Sequence, residues 1–212
     1  MAVSKLLHYA GSALLFIAMI LTIVVDISAP VVKDISFVSL DLPGNADVQF
    51  GVFGYCYQGV TGSESTCSSA SIGYDPAGVL ERVADSAINN IRADGTKALS
   101  NVFVLHPVGT GVLFIAFILS LIAKSTVGGI LATLAAAVAT VINVVAVAVD
   151  FAVFSILLDE VKNGFGEGRY GNAIYIALAA AILSVISTVL MFATCCAGRR
   201  RRRRESRKMA QY

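Results

Sequence analysis

Four long apolar stretches constrain this chain more than anything else in it. A bilayer core about 30 Å thick takes roughly 20 residues of helix rising about 1.5 Å each. Uncharged runs extend from Leu6 to Val25, from Val102 to Ala123 and from Ala173 to Ala197, and a longer run from Val127 to Leu158 is interrupted only by Asp150. They are too continuous for the alternation of a membrane barrel, and a helix lets a backbone in lipid satisfy its own hydrogen bonds. Composition agrees, with 57% hydrophobic and 14% charged residues against about 25% charged in an average soluble domain. A soluble globule is excluded, and at 212 residues so is a large multidomain enzyme.

The predicted organisation is a short N-terminus (1–5), a first span (6–27), a large loop (28–101), a second span (102–123), a tight turn (124–126), a third span (127–158), a short loop (159–172), a fourth span (173–197) and a basic tail (198–212). The first span looks superficially like a secretory signal, but its apolar run is too long and Pro30 would follow the cleavage point, so it reads as an uncleaved anchor. Eight of the 16 basic residues lie after Ala197, namely Arg199, Arg200, Arg201, Arg202, Arg203, Arg204, Arg207 and Lys208. Lysine and arginine beside spans favour the cytoplasmic side. Lys5, Lys124 and the tail fall together, which predicts a multi-pass membrane protein with both termini cytoplasmic and both long connections outside.

The short connection at Lys124 makes the second and third helices antiparallel neighbours. Gly128, Gly129, Ala132, Ala136, Ala139 and Thr140 recur at helical spacing and would let another backbone approach closely.

The first outer loop, about 76 residues between Val25 and Val102, is too long to be structureless. Alternation from Ile35 to Leu42, and again from Val48 to Tyr55 after Pro43-Gly44-Asn45, predicts two strands and a turn. A third strand is expected through Ser69 to Tyr74. Asp75 as cap, Pro76 at the first helical position and Val79, Leu80, Val83, Ala87, Ile88 and Ile91 then predict an amphipathic helix ending near Gly95, lying on the sheet or on the membrane surface. Cys56 and Cys67 share this loop, and on an oxidising face such a pair is expected to be a disulfide. Zinc lacks a nearby His or Cys to complete its ligands. The fold expected is therefore an all-α membrane protein, a four-transmembrane-helix bundle, with a small extracellular antiparallel β-sheet and a short helix.

The string Phe50-Gly51-Val52-Phe53-Gly54-Tyr55-Cys56, with Cys67-Ser68 and Gly73-Tyr74 downstream, resembles the outer-loop signature of the fungal PalI and Sur-type tetraspan membrane proteins. Leu105-His106-Pro107, Asp150 with Phe151 and Phe154, and Tyr170-Gly171-Asn172-Ala173 agree in order. The chain is also distantly similar to claudins, but it has no Trp where the claudin signature uses two, so a paracellular pore is not implied. The resemblance implies a non-enzymatic organiser or accessory subunit of the fungal plasma membrane, tied to eisosome-type compartments and cell-wall organisation. The alternatives are an accessory protein of the ambient-pH sensing complex and a regulatory subunit of a channel or cell-wall synthase. The tail, about 15 residues, is shorter than the cytoplasmic tails that PalI members known for pH signalling often carry, which weighs against the pH-signalling alternative.

No catalytic constellation is legible. His8 and His106 are about a hundred residues apart, near opposite faces of the membrane, and the Gly164, Gly166 and Gly168 run lacks the strand and Lys-Ser/Thr of a phosphate cradle, reading instead as a flexible turn. No cofactor, metal or nucleic acid is expected. His106 and Asp150 both fall near the outer ends of neighbouring helices. An intramembrane carboxylate usually finds a partner and histidine titrates near physiological pH, so a polar pair fixing the outer end is expected, the alternative being that each is wetted at the interface. Cys195 and Cys196, just before the arginines, suit reversible palmitoylation, with free interfacial thiols as the alternative. Arg199 to Arg204 serve as a topology determinant and as a patch for anionic inner-leaflet lipid, at about 1 kcal/mol per residue near the surface. The partners implied are membrane lipids and a polytopic membrane protein or a second copy of the chain.

Overall fold

The structure, a computed structural model, describes residues 2–42, 46–58, 65–76, 78–79, 101–122, 126–164 and 166–209. Its long helices are α1 (Ala2–Asp26), α2 (Leu105–Ile122), α3 (Thr126–Gly164) and α4 (Asn172–Met209). Each contains a segment long and apolar enough to cross a membrane: Leu6–Asp26, Leu105–Ile122, Gly128–Asp159 and Asn172–Cys196. The helices pack in a ring, α1 on α2, α2 on α3, α3 on α4 and α4 back on α1.

Small residues set the closeness of this ring. Ala132, Ala136 and Ala139 of α3 are fully buried in one cluster with Leu15, Met19, Leu113, Ala116 and Met191. Between α1 and α4, Ser187 Oγ donates to the Gly11 carbonyl at 2.7 Å, and between α3 and α4 the Thr140 and Thr188 hydroxyls meet at 2.9 Å. Without a hydrophobic driving force inside lipid, such close contacts and interhelical hydrogen bonds hold helices together.

One end of the bundle carries a five-stranded antiparallel sheet in the order β4-β3-β2-β1-β5. Its strands are β1 (Val38–Leu42), β2 (Ala46–Phe50), β3 (Tyr55–Gln58), β4 (Thr66–Cys67) and β5 (Glu167–Tyr170). Alternation decides its two faces: Val38 and Leu40 of β1 and Val48 and Phe50 of β2 are fully buried, while Asp41, Glu167 and Arg169 are exposed. The buried face joins Leu157, Leu158 and Val161 of α3 in one core. With 39 residues, α3 is about 58 Å long, so its last turns project beyond a bilayer core and become the wall on which the sheet rests.

Three sequence expectations are corrected here. The run from Val48 to Tyr55 is not one strand: it breaks at Gly51–Gly54, where Gly51 N donates to Gly54 O at 2.8 Å, and becomes the β2–β3 hairpin. Ser69 to Tyr74 is not a strand; it is irregular, with a turn at Ile72–Gly73 and Gly73 at φ 70°, a backbone region that glycine enters without steric cost. The glycine-rich run is not a free turn. Gly166 packs on the Asp41 backbone, where a side chain would force the two segments apart, Gly168 lies against the side-chain ends of Leu158 and Leu40, and Glu167–Tyr170 pairs with β1 from Val38↔Tyr170 to Asp41↔Glu167. The second loop thus completes a sheet begun by the first.

Of the amphipathic helix expected after Tyr74, only its start is described: Asp75 Oδ1 accepts from Gly78 N at 3.2 Å, as an N-cap does. The rest lies outside the described residues.

Candidate functional site

The residues singled out from sequence gather where the sheet meets the bundle. At the top of α2, His106 is 3% exposed and Asp150 of α3 is 1% exposed. Their Nε2 and Oδ2 atoms lie 2.9 Å apart. The Phe37 ring, from the segment entering β1, meets the His106 ring edge-on at a centroid distance of 5.5 Å and stacks on Phe154 of α3, also at 5.5 Å. Phe103 stacks on Phe154 at 5.8 Å and on Tyr74 at 6.1 Å. The polar pair therefore sits beneath an aromatic layer supplied jointly by the sheet, the approach to α2 and α3.

Sequence reasoning missed a second polar contact. Thr110, one turn after His106, has its Oγ1 2.7 Å from Asp26 Oδ2 at the end of α1 and 3.1 Å from the His106 carbonyl. A carboxylate closing an otherwise uncharged span was the available signal. Three helices are thereby joined through polar side chains within one layer. Among the described residues, no group of three or more His, Cys, Asp or Glu is arranged to hold a metal ion.

The glycine-rich string explains itself at the same junction. Just past α1, Ser28 Oγ accepts from Val52 N at 3.1 Å, and Ala29 N donates to Ile35 O at 2.9 Å. A Cβ on Gly51 would overlap the Ala29 backbone, and one on Gly54 would overlap Ser68 Oγ and crowd Pro30. The Tyr74 hydroxyl donates to Gly51 O at 2.7 Å, and burial, followed by the nearby Asp150 charge, pushes its phenol well above the ordinary tyrosine range despite that bond. On the far side, Gly171 lies against the Ser36 carbonyl, which also accepts from Ala173 N at 3.0 Å and so satisfies a donor at the start of α4. At Gly51 and Gly171, as at Gly166, backbone touches backbone.

Cys56 and Cys67 are disulfide-bonded across the β3–β4 pair, 11 residues apart in sequence with Cα atoms 4.0 Å apart. Closing a loop of that size stabilises by about 3 kcal/mol in the chain-entropy model. The other site residues lie elsewhere. Cys195 is half-buried, Cys196 is exposed, and neither is disulfide-bonded. Arg199 to Arg204 continue the α4 backbone helix, which runs unbroken to Met209, at the end remote from the sheet. His8 is also there, its Nε2 3.3 Å from Ser120 O, a bundle length from His106.

A 112-residue segment is 34% identical to the pH-response regulator protein palI/prr-5 of Neurospora crassa, covering 53% of this chain and 15% of that protein. The pH-response regulator protein palI/RIM9 of Yarrowia lipolytica is 34% identical over 110 residues, 52% of this chain and 13% of its own length. The uncharacterized membrane protein TOS7 of Saccharomyces cerevisiae is 28% identical over 104 residues, 49% of this chain and 16% of its own. The chain therefore spans only a small part of the curated relatives it matches. A family-wide sequence profile reaches much further, over residues 1–200, taking in all four helices, both loops and the glycine-rich string: the chain belongs to the SUR7/PalI family.

Proposed function

We propose that this protein is a non-enzymatic accessory subunit of a plasma-membrane pH-response assembly, coupling an external domain to its transmembrane helices and through them to a polytopic partner. The observation that carries the reading is the sheet built from both loops. Because β5 pairs with β1 and the sheet's floor covers the His106–Asp150 pair, a change outside the membrane and a change in helix packing are mechanically one event. Bistable packed interfaces amplify small shifts in this way.

Sequence reading alone put a cortical or eisosomal organiser first. The relatives named as pH-response regulators reverse that order, and the organiser becomes the second reading, with a channel or synthase subunit behind it. In this account both termini are cytoplasmic, Arg199 to Arg204 hold the end of α4 on anionic inner-leaflet lipid, Cys195 and Cys196 are placed for acylation, and the bundle acts by lateral contacts with a partner or a second copy. Purification of the tagged chain in mild detergent, with growth of a deletion strain across pH, tests the reading. It requires a stoichiometric polytopic partner and a growth defect confined to one end of the pH range. Normal growth across that range with patchy cortical localisation would support the organiser instead.

A further inference from the structure

The face of the sheet turned away from the bundle is polar, and it carries a cavity. Because Val48 and Phe50 of β2 are buried in the core shared with α3, alternation puts Asp47 and Gln49 on the opposite face, where the register sets them across from Gln58 and Cys56 of β3. These four residues, with Tyr57 and with Lys33 and Asp34 from the connection between α1 and β1, line a cavity of about 210 Å³. It is braced on two sides. The Cys56–Cys67 disulfide fixes the β3–β4 edge, and Lys33 Nζ donates to Ser65 Oγ at 2.7 Å and to Ser65 O at 3.3 Å.

The chemistry of this lining selects a ligand by elimination. Two carboxylates, Asp34 and Asp47, oppose an anion. The Lys33 ammonium opposes a cation, and among the described residues no three His, Cys, Asp or Glu side chains are grouped to hold a metal ion. An apolar ligand would take water from carboxylates and amides without replacing their hydrogen bonds. A neutral molecule rich in hydroxyls remains, since each hydroxyl both donates and accepts. Asp47 shows the demand most directly. Its Oδ2 accepts from Gln49 Nε2 at 3.0 Å, whereas its Oδ1 is shielded from solvent with no hydrogen-bond partner among the described residues, and a buried carboxylate oxygen left unpaired is costly. Tyr57, the one aromatic residue of the lining, offers apolar surface to the C–H face of a ring while its hydroxyl stays polar. The volume lies below the roughly 300–1,000 Å³ of sites for drug-sized ligands, which suits a single sugar ring.

We propose that this cavity is a saccharide-binding site of the outer domain, taking one neutral pyranose ring whose hydroxyls bond to Asp34, Asp47 and Gln58 and whose C–H face lies on Tyr57. The site goes beyond the pH-response reading and does not depend on it. A ligand of so few atoms binds with a dissociation constant on the order of 1 mM, and many copies in one membrane would raise the affinity for a long glycan by avidity.

Saturation-transfer NMR on the full chain in lipid nanodiscs tests the proposal. The probes are neutral trisaccharides of glucose, mannose and N-acetylglucosamine, with a uronic-acid trisaccharide and Ca²⁺ as charged competitors. At least one neutral trisaccharide is expected to receive saturation, strongest on the protons of one ring, and neither competitor is expected to displace it. Asp47→Asn keeps an oxygen for Gln49 while turning the unpaired acceptor into a donor, and is expected to weaken binding about tenfold. Tyr57→Ala is expected to weaken it at least as much. Glu167→Gln, on the same face of the sheet but outside the cavity lining, is expected to bind as wild type does. No transfer from wild type to any neutral probe, displacement by the uronic acid or by Ca²⁺, or equal affinity in wild type and both cavity variants overturns the proposal. Should Tyr57→Ala not fold, Asp47→Asn and Gln58→Ala decide in its place.

Discussion

His106 Nε2 and Asp150 Oδ2, from adjacent helices, meet at 2.9 Å in a site almost closed to solvent. Breaking a buried pair from one side strands the other charge, which costs about 3–5 kcal/mol. His106→Ala should therefore destabilise the bundle by that order in detergent unfolding, Asp150→Asn by less because its amide still hydrogen-bonds. The double variant should recover part of the loss. Strict additivity of the two single changes would show that the residues do not act as a pair.

The Cys56–Cys67 bridge ties the short edge strand β4 to β3. Replacing both with Ser should cost the sheet about 3 kcal/mol and expose residues near 55–70 to protease while leaving the four helices protected. Uniform loss of helix protection would place the bridge's role elsewhere.

Gly51→Ala tests the contact with the Ala29 backbone. Overpacking of this kind typically costs about 1–3 kcal/mol, and here backbone, not a flexible side chain, must yield. The expected result is a chain that still inserts but whose sheet is more exchange-labile. Gly111→Ala, at a position with open space around it, is the control and should be silent.

Tyr74 provides a pH test outside the membrane. Its phenol is held neutral first by burial and then by the Asp150 charge, so its folded-state titration lies above the ordinary value of about 10. Stability from this group is complete below pH about 10 and is lost as pH climbs beyond it. Tyr74→Phe should flatten that alkaline loss and forfeit the Gly51 hydrogen bond, worth about 1 kcal/mol. An unchanged alkaline slope would contradict the assignment.

How much of this was legible beforehand follows from the range of each signal. The four spans are properties of about 20 consecutive residues and survive any tertiary context. Val38, Leu40, Val48 and Phe50 were legible because alternation reports a half-buried strand directly. Strand β5 was not, since Glu167-Gly168-Arg169-Tyr170 has no period to read and its partner β1 lies over a hundred residues away. The glycines of the 50–56 string were visible as a motif, but their reason, contact with Ala29 and Pro30, exists only in three dimensions. Asp26 was not singled out, because nothing local says that Thr110 lies beside it.

Hydrogen exchange of the β1 and β5 amides in His106→Ala, compared with wild type in the same nanodiscs, tests the central claim most directly. If the sheet and the helix ends form one unit closed over the buried pair, Val38–Leu42 and Glu167–Tyr170 lose protection together although neither contains the substitution. Wild-type protection in both strands would show that the sheet does not sense the pair, and the coupling argued from this junction would be wrong.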